Sequence, residues 1–439
     1  MLAIIRFMMR GTFDADFHGT RLHSSLMMSA SDLDRADDLA SFRDEFFLPV
    51  GRVYLDGNSL GPCSRGSEAM LLRQLAAWKV DGVEAWSAWI DLPQQLAARV
   101  APLIGANAAS VAVCGSTTSN LHQLLATLYT PTRERSKIVI DATAFPSDAY
   151  AVQSHLRLRG LSPAEHLVVV RPREDGLLRE DDLIAAIDST VALLLVPAMV
   201  YTTGQLLDLA TLARATHERG AMIGIDCAHS IGAVPHALDA IDADFAFWCS
   251  YKYLNAGPGA VGGLYLNARH FSRTPGLAGW FGNRRETMFA MRHEFDAAAD
   301  ASGLMVGTPH ILSLCPLEGS LDIIERAGLD RLRTKSLSMT DRLIALADDR
   351  LTKFGVRVVT PREHHRRGGH AALSHPKAYA LSIALRDRGV VPDFRPPDIL
   401  RLAPAPLYNT FAEVDAAIDT IVSIFEAGGP AEARGDVVT

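Results

Sequence analysis

Ile223-Gly224-Ile225-Asp226-Cys227-Ala228-His229, followed by Trp248-Cys249-Ser250-Tyr251-Lys252-Tyr253-Leu254-Asn255-Ala256-Gly257-Pro258-Gly259, decides the fold. An apolar run of strand length ends in Asp226, and a second ends in Ser250-x-Lys252. Strands buried on both faces of a parallel sheet read as near-continuous apolar runs, and such sheets place ligands at the carboxyl ends of their strands. A carboxylate and an amine on one rim suit pyridoxal phosphate chemistry. The amine joins the cofactor aldehyde, and the carboxylate keeps the pyridine nitrogen protonated so that the ring accepts electrons. Either residue alone reads as structural or solvated.

Working outward, further strand-length apolar runs occur at Val111 to Cys114, Lys137 to Asp141, Leu167 to Arg171, Val191 to Val196 and Val261 to Leu266. With Ala221 to Asp226 and Asp244 to Trp248 they make seven, and between them lie helical patterns at Thr118 to Tyr129, Ser147 to Arg159, Arg179 to Asp188 and Leu209 to Arg219. This alternation predicts an α/β protein with a mainly parallel seven-stranded sheet covered on both faces. After Pro309 the pattern changes to long helices at Ile311 to Arg326 and Leu329 to Phe354. Strands at Val356 to Val359 and Ala371 to His375 follow, then helices at Pro376 to Arg388 and Phe411 to Ala427, a smaller α+β C-terminal domain. The chain divides as a flexible extension over 1–31, a segment over 32–65 that packs with the small domain, a large domain over 66–309, the small domain over 310–427 and a tail over 428–439. Met27 or Met28 reads as an alternative start.

Composition bounds the function. A hydrophobic fraction of 48%, a charged fraction of 21% and a net charge of -7 describe a globular protein without an electrostatic footprint for nucleic acid. Five cysteines without CxxC spacing fit reduced thiols in a cytoplasmic enzyme. No apolar run is long enough to span a bilayer, and Arg6 and Arg10 break the apolar start, so neither a membrane nor a signal peptide is expected.

The turn Gly115-Ser116-Thr117-Thr118 opens a helix, where hydroxyls and backbone N–H groups hold phosphate or simply cap the helix. Two other motifs invite different readings. Gly257-x-Gly259-x-x-Gly262 matches a dinucleotide fingerprint in letters but precedes a strand instead of following one. Gly57-x-Ser59-x-Gly61 matches a nucleophile elbow and makes a serine esterase the rival, although an elbow belongs after several sheet strands, not before them. The cluster His364, His365 and His370, among arginines and glycines, reads as an exposed loop and not as a metal site.

The chain resembles the kynureninase family of fold-type-I pyridoxal-phosphate enzymes over about Tyr54 to Phe425. The resemblance rests on Tyr54-Leu-Asp-Gly-Asn-Ser-Leu-Gly61, Phe145-Pro-Ser-Asp148, Asp226-Cys-Ala-His-Ser-Ile-Gly232, Cys249-Ser-Tyr-Lys-Tyr-Leu-Asn-Ala-Gly-Pro-Gly259, Gly279-Trp-Phe-Gly282, Gly307-Thr-Pro309 and Arg401-Leu-Ala-Pro-Ala-Pro-Leu-Tyr408. The Asp and Lys segments alone also suit cysteine desulfurases and class V aminotransferases. The resemblance implies a fold of the PLP-dependent transferase type, a homodimer with shared active sites, and hydrolysis of L-kynurenine to anthranilate and L-alanine. It further implies Lys252 as cofactor lysine and general base, Asp226 as partner of the pyridine nitrogen with His229 beside it, and Phe145 stacked on the ring with Asp148 near it. Thr117, Thr118 and Tyr251 would bind phosphate, joined by Trp280 and Thr308 of the second subunit. Tyr251 would also protonate the departing fragment, Arg401 would hold the substrate carboxylate, and Ser59 would face the substrate. Thr308 and Pro197 stand where some relatives carry Asn and Ser, which leaves the preference among kynurenine, 3-hydroxykynurenine and ring-substituted analogues open.

Overall fold

The computed structural model describes residues 28–431, so the expected extension up to residue 27 and the tail from residue 432 lie outside the described residues. The chain enters through helix α1 (Ala30–Arg35), whose first turn is capped by the Ser29 hydroxyl accepting from the Asp32 N–H. The Asp34 carboxylate accepts the N–H groups of Phe411 and Ala412, which ties this entry to the first turn of the chain's last helix. Anionic oxygens at a helix N-terminus satisfy orphan donors and oppose the positive dipole end.

Strand β1 (Val53–Tyr54) and helix α2 (Arg65–Asp81) lead into the main sheet. Its strands are β2 (Val111–Ala112), β3 (Lys137–Asp141), β4 (Leu167–Val170), β5 (Val191–Pro197), β6 (Met222–Asp226), β7 (Phe245–Cys249) and β8 (Gly262–Leu266). They stand in the order β2-β8-β7-β6-β5-β3-β4, with every neighbouring pair parallel except those involving β8. Strand side chains alternate between faces, and both faces are apolar here. Leu194, Val196, Ile225 and Trp248 belong to one core; Leu193, Leu195, Phe245 and Phe247 belong to the other. Helices α3 (Thr117–Leu128) and α4 (Pro146–Leu158) pack on the second face.

A third core belongs to the C-terminal region. It is built from α6 (Leu329–Leu351), α7 (Ala378–Asp387) and α8 (Phe411–Glu426), linked to the large sheet through α5 (Ile311–Ala327), which packs on α2. Its four-stranded sheet runs β12 (Asp393–Arg395), β13 (Ile399–Leu402), β10 (Ala371–Ser374) and β9 (Arg357–Val358), all antiparallel. Strand β11 (Val390–Val391) pairs with β1, and Leu55 just beyond β1 is fully buried in this third core. The pairs β11, β12 and β13 have no counterpart in the sequence reading, because runs of two to four residues carry no period.

The stretch from Arg362 to His370 corrects an expectation. Arg362, Glu363 and His365 are exposed as expected, but Arg367 is 1% exposed and ion-paired to Asp341 of α6, and His370 is fully buried. His364 also hydrogen-bonds Asp341, at 2.8 Å. Charge density suggested solvent, but one carboxylate on α6 draws the segment inward. No group of three or more metal-ligating side chains occurs among the described residues.

The Gly-x-Ser-x-Gly segment is a close backbone passage. The Gly61 N–H donates to the Tyr251 carbonyl at 2.8 Å, and a Cβ at Gly61 would lie 2.6 Å from the Lys252 carbonyl oxygen. Gly61→Ala is therefore expected to destabilise the protein by about 1–3 kcal/mol through overpacking, read by chemical denaturation. An unchanged unfolding midpoint would show that the Lys252 loop yields freely.

Candidate active site

The carboxyl ends of the parallel strands form one rim. Asp226 closes β6 beside β7, in register with Phe247, and Lys252 follows β7 by three residues. Gly115 follows β2 with φ +56°, where a Cβ would strike Asn120 and Ser119; the chain turns there into α3. Ser116 and Ser119 cap α3 reciprocally, so Thr117 and Thr118 are not consumed in the cap. Phe145 and Pro146 open α4, which brings Asp148 into its first turn.

These ends surround a cavity of about 610 Å³, lined among others by Gly115, Thr117, Thr118, Phe145, Asp148, Asp226, Cys249 and Tyr251. Lys252 is buried beside this lining, with Nζ 2.7 Å from His229 Nε2, 5.8 Å from the centre of the Phe145 ring and 5.9 Å from that of Tyr251. Burial pushes the Lys252 amine below its ordinary value and holds His229 neutral. A neutral amine is the nucleophile that an aldehyde requires. The other buried lysine, Lys335, is instead ion-paired to Asp37 at 2.7 Å and donates to the carbonyls of Pro406 and Asn409.

Asp226 accepts the Ala228 N–H at 2.7 Å, and burial raises its pKa, with Lys252 opposing. Asp148 is raised by burial and by Asp226, and Asp141 is pushed up to about 6, mainly by burial. Asp141 Oδ2 is buried without a hydrogen-bond partner. Carboxylates gathered in a dry wall call for a cation or a donor between them. A protonated pyridine nitrogen supplies that charge, the α3 N-terminus suits a phosphate, and Phe145 offers an apolar face for a ring. The residues present fit pyridoxal 5′-phosphate. Tyr251 has its phenol pushed up by burial and by Cys249, so it stays protonated near neutrality.

The small domain contributes a second layer. Asp393 and Arg401 face each other across β12 and β13, and Arg401 pairs with the Asp393 carboxylate through Nε and Nη2. Arg401 Nη1 donates to the Tyr201 carbonyl at 2.9 Å and Nη2 to Ser59 Oγ at 3.3 Å. Arg395 donates from Nε to Asp393 at 3.0 Å and from Nη2 to Ser59 at 3.5 Å. The Tyr201 ring stands between this layer and the cavity: it meets Phe145 edge-on at 5.5 Å and stacks on His229 at 5.9 Å. Ser59 Oγ accepts from two guanidinium groups and its side chain also meets the Asp56 carboxylate, but among the described residues no histidine hydrogen-bonds it, so the esterase reading lacks the histidine base of an elbow.

The structure brings Lys252, Asp226, His229, Thr117, Thr118, Phe145, Asp148 and Tyr251 together, with Arg401 and Ser59 beyond Tyr201. It does not bring Trp280 and Thr308 to the cavity of their own chain. Both are exposed, and the Trp280 indole N–H donates to the Met288 carbonyl at 3.4 Å. Sequence reasoning missed Tyr201, Asp393 and Arg395. The Asp-x-Arg spacing of the last two on one strand face was the available signal.

Among solved structures, the chain is similar to the cysteine desulfurase CsdA of Escherichia coli, with a TM-score of 0.74 and 20% identity over 89% of this chain and 99% of that one. It is equally similar to a C-DES mutant with glycine covalently linked to its PLP cofactor, with a TM-score of 0.75 and 16% identity over 86% of this chain and 98% of that one. The fold is that of these pyridoxal-phosphate enzymes, related to the class V aminotransferases. The kynureninase of Geobacillus thermodenitrificans is 45% identical over 401 residues, covering 90% of this chain and 94% of that protein. The kynureninase of Bacillus thuringiensis subsp. konkukian is 49% identical over 389 residues, covering 88% and 91%. A family model described as the kynureninase C-terminal domain matches residues 332–421. The chain belongs to the kynureninase family.

Lys252→Ala is expected to abolish the visible absorbance of the lysine-bound cofactor while leaving far-ultraviolet circular dichroism intact; retained absorbance would move the attachment to another lysine. Asp56, buried near Asp393, has its pKa raised from 3.8 to about 6, first by burial and then by Asp393. The folded carboxyl keeps its proton where the unfolded one has released it, so stability falls as pH rises from about 4 to about 6. Asp56→Asn should flatten that fall in denaturation midpoints measured at pH 4.5 and 7; an identical fall would remove Asp56 as its source.

Proposed function

We propose that the protein hydrolyses the bond between the β and γ carbons of L-kynurenine, releasing anthranilate and L-alanine, and accepts 3-hydroxy-L-kynurenine as well. The observation that carries this reading is the meeting, in a chain of this family, of the buried Asp226 carboxylate in the cavity wall, a desolvated Lys252 amine 5.8 Å from the Phe145 ring of that wall, and the Arg401 guanidinium behind Tyr201. Pyridoxal 5′-phosphate, when bound, supplies the electron sink that stabilises negative charge at the substrate's α carbon.

The chain's own residues do the rest. Asp226, with His229 beside it, would hold the pyridine nitrogen protonated, and Thr117, Thr118 and the α3 N-terminus would take the phosphate, joined by Tyr251. Phe145 would supply an apolar face for the ring, and Asp148 would add to its hydrogen-bond shell. Lys252 would move the substrate's α proton; its lowered basicity suits it to accept and return a proton near neutrality. Water adds to the γ carbonyl, and Tyr251, whose phenol burial keeps protonated, gives a proton to the departing three-carbon fragment. Arg401 and Ser59 orient the substrate's amino-acid end.

The family resemblance also supports a homodimer whose sites are shared. Trp280, Phe289, Met291, Val306 and Leu312 are exposed apolar side chains, and covering them with a second copy would remove them from water. Trp280 and Thr308 would then complete the phosphate site of the neighbouring subunit. No helix among the described residues is long and apolar enough to cross a membrane, and all five cysteines are free, which supports placement in the cytoplasm.

Anthranilate fluorescence should appear when the purified protein meets L-kynurenine, and pyruvate, amino-group transfer or sulfide release in its place would refute the reading. Arg401→Ala should weaken substrate binding by about 2–5 kcal/mol, the cost of unpairing a buried charge; a change within about 0.5 kcal/mol would take Arg401 out of the site. Mixing inactive Lys252→Ala and Trp280→Ala proteins should restore activity if subunits exchange and share sites, whereas two inactive proteins that stay inactive after exchange would contradict sharing.

A further inference from the structure

We propose that Arg395 is a second substrate-carboxylate-binding residue, so that the amino-acid end of the substrate is held by a clamp of two guanidinium groups and not by Arg401 alone. The proposal rests on the reading of this cluster as the carboxylate site.

Hydrogen-bond arithmetic argues for it first. Arg401 is 0% exposed; Nε and Nη2 are on Asp393, Nη2 is also on Ser59, and Nη1 is on the Tyr201 carbonyl. Among the described residues that leaves a single N–H on Arg401 for an arriving ligand. A bidentate carboxylate grip needs two parallel N–H groups. Arg395 uses Nε on Asp393 and Nη2 on Ser59, so its Nη1 group has no hydrogen-bond partner among the described residues, and its side chain is 21% exposed. The open arm of the cluster is therefore Arg395.

Charge balance points the same way. Arg401 beside Asp393 is already a neutral pair, and a second anion meeting a neutral pair gains little. Asp56, the other carboxylate beside the cluster, is paired with Arg386 at 3.7 Å, so with Arg395 the group carries one net positive charge, which one carboxylate neutralises. Asp393 Oδ2 accepts from both guanidinium groups, and both lie on Tyr201, with centres 6.0 and 5.8 Å from its ring centroid. A structural role for Arg395 would place it in a closed ion pair; here it faces the site closely enough to lower the basicity of Lys252. The neighbouring strand pairing explains its aim: Asp393 and Arg395 are two residues apart on β12, so both point to the face that Arg401 occupies on β13.

The test uses the cofactor-loaded protein and two small probes, L-alanine and L-alaninamide, titrated by the change in cofactor absorbance. They differ only in the carboxylate. Arg395→Gln should weaken L-alanine about tenfold and L-alaninamide less than twofold, so the preference for the acid collapses. Arg395→Lys should recover part of that preference, since a point charge replaces half of the fork. Equal weakening of both probes, or no change in either, would overturn the proposal and leave Arg395 a structural residue. If wild-type protein itself fails to prefer L-alanine, the whole cluster is not a carboxylate site and the proposal falls with it. Anthranilate production from L-kynurenine by the same preparation reports separately on the reaction, so the two failures are distinguishable.

Discussion

The structure depends on placing an amine in a dry wall beside a carboxylate. Lys252 and Asp226 each lose hydration by burial, and burial drives both toward neutrality. Neither charge state is comfortable until a polar ring lies between them. The sheet makes this juxtaposition without strain: β6 and β7 are adjacent and parallel, so their carboxyl ends reach one rim although the residues are far apart in the chain. The same rim carries Gly115 and the first turn of α3, so the Asp226 carboxylate and a helix N-terminus open on one cavity from one rigid layer.

The small domain completes the site from the opposite side. Its hairpin of β12 and β13 sets Asp393 against Arg401, and the N-terminal segment returns across both domains to add Ser59. Gly61 lies against the Lys252 loop while Leu55, six residues earlier, is buried in the small-domain core. One short segment thus ties the lysine loop to the carboxylate cluster, which explains the literal Gly-x-Ser-x-Gly spelling without any nucleophilic serine. Tyr201, held between Arg401 and His229, sets the distance between the two layers.

The large sheet was legible because its strands are four to seven buried residues long in most cases, and length with unbroken apolarity is what the eye can read. Asp226 and Lys252 were legible for the same reason: Asp226 closes one such run and Lys252 follows the end of another by three residues. The cluster of Asp393 and Arg395 was not, because β12 is three residues long and its charges resemble a surface turn. Arg367 and His370 misled more directly. Charged residues read as solvated unless a partner is known, and the partner of Arg367, Asp341, comes from a helix more than twenty residues upstream. At Arg367, pairing and not polarity decided burial.

The most direct measurement of the central claim is to reduce the cofactor-loaded protein with borohydride, digest it and locate the modified lysine by mass spectrometry. The account predicts a phosphopyridoxyl group on the peptide that contains Lys252 and on no other. Modification of Lys335 or of an exposed lysine, with the Lys252 peptide unmodified, would contradict it.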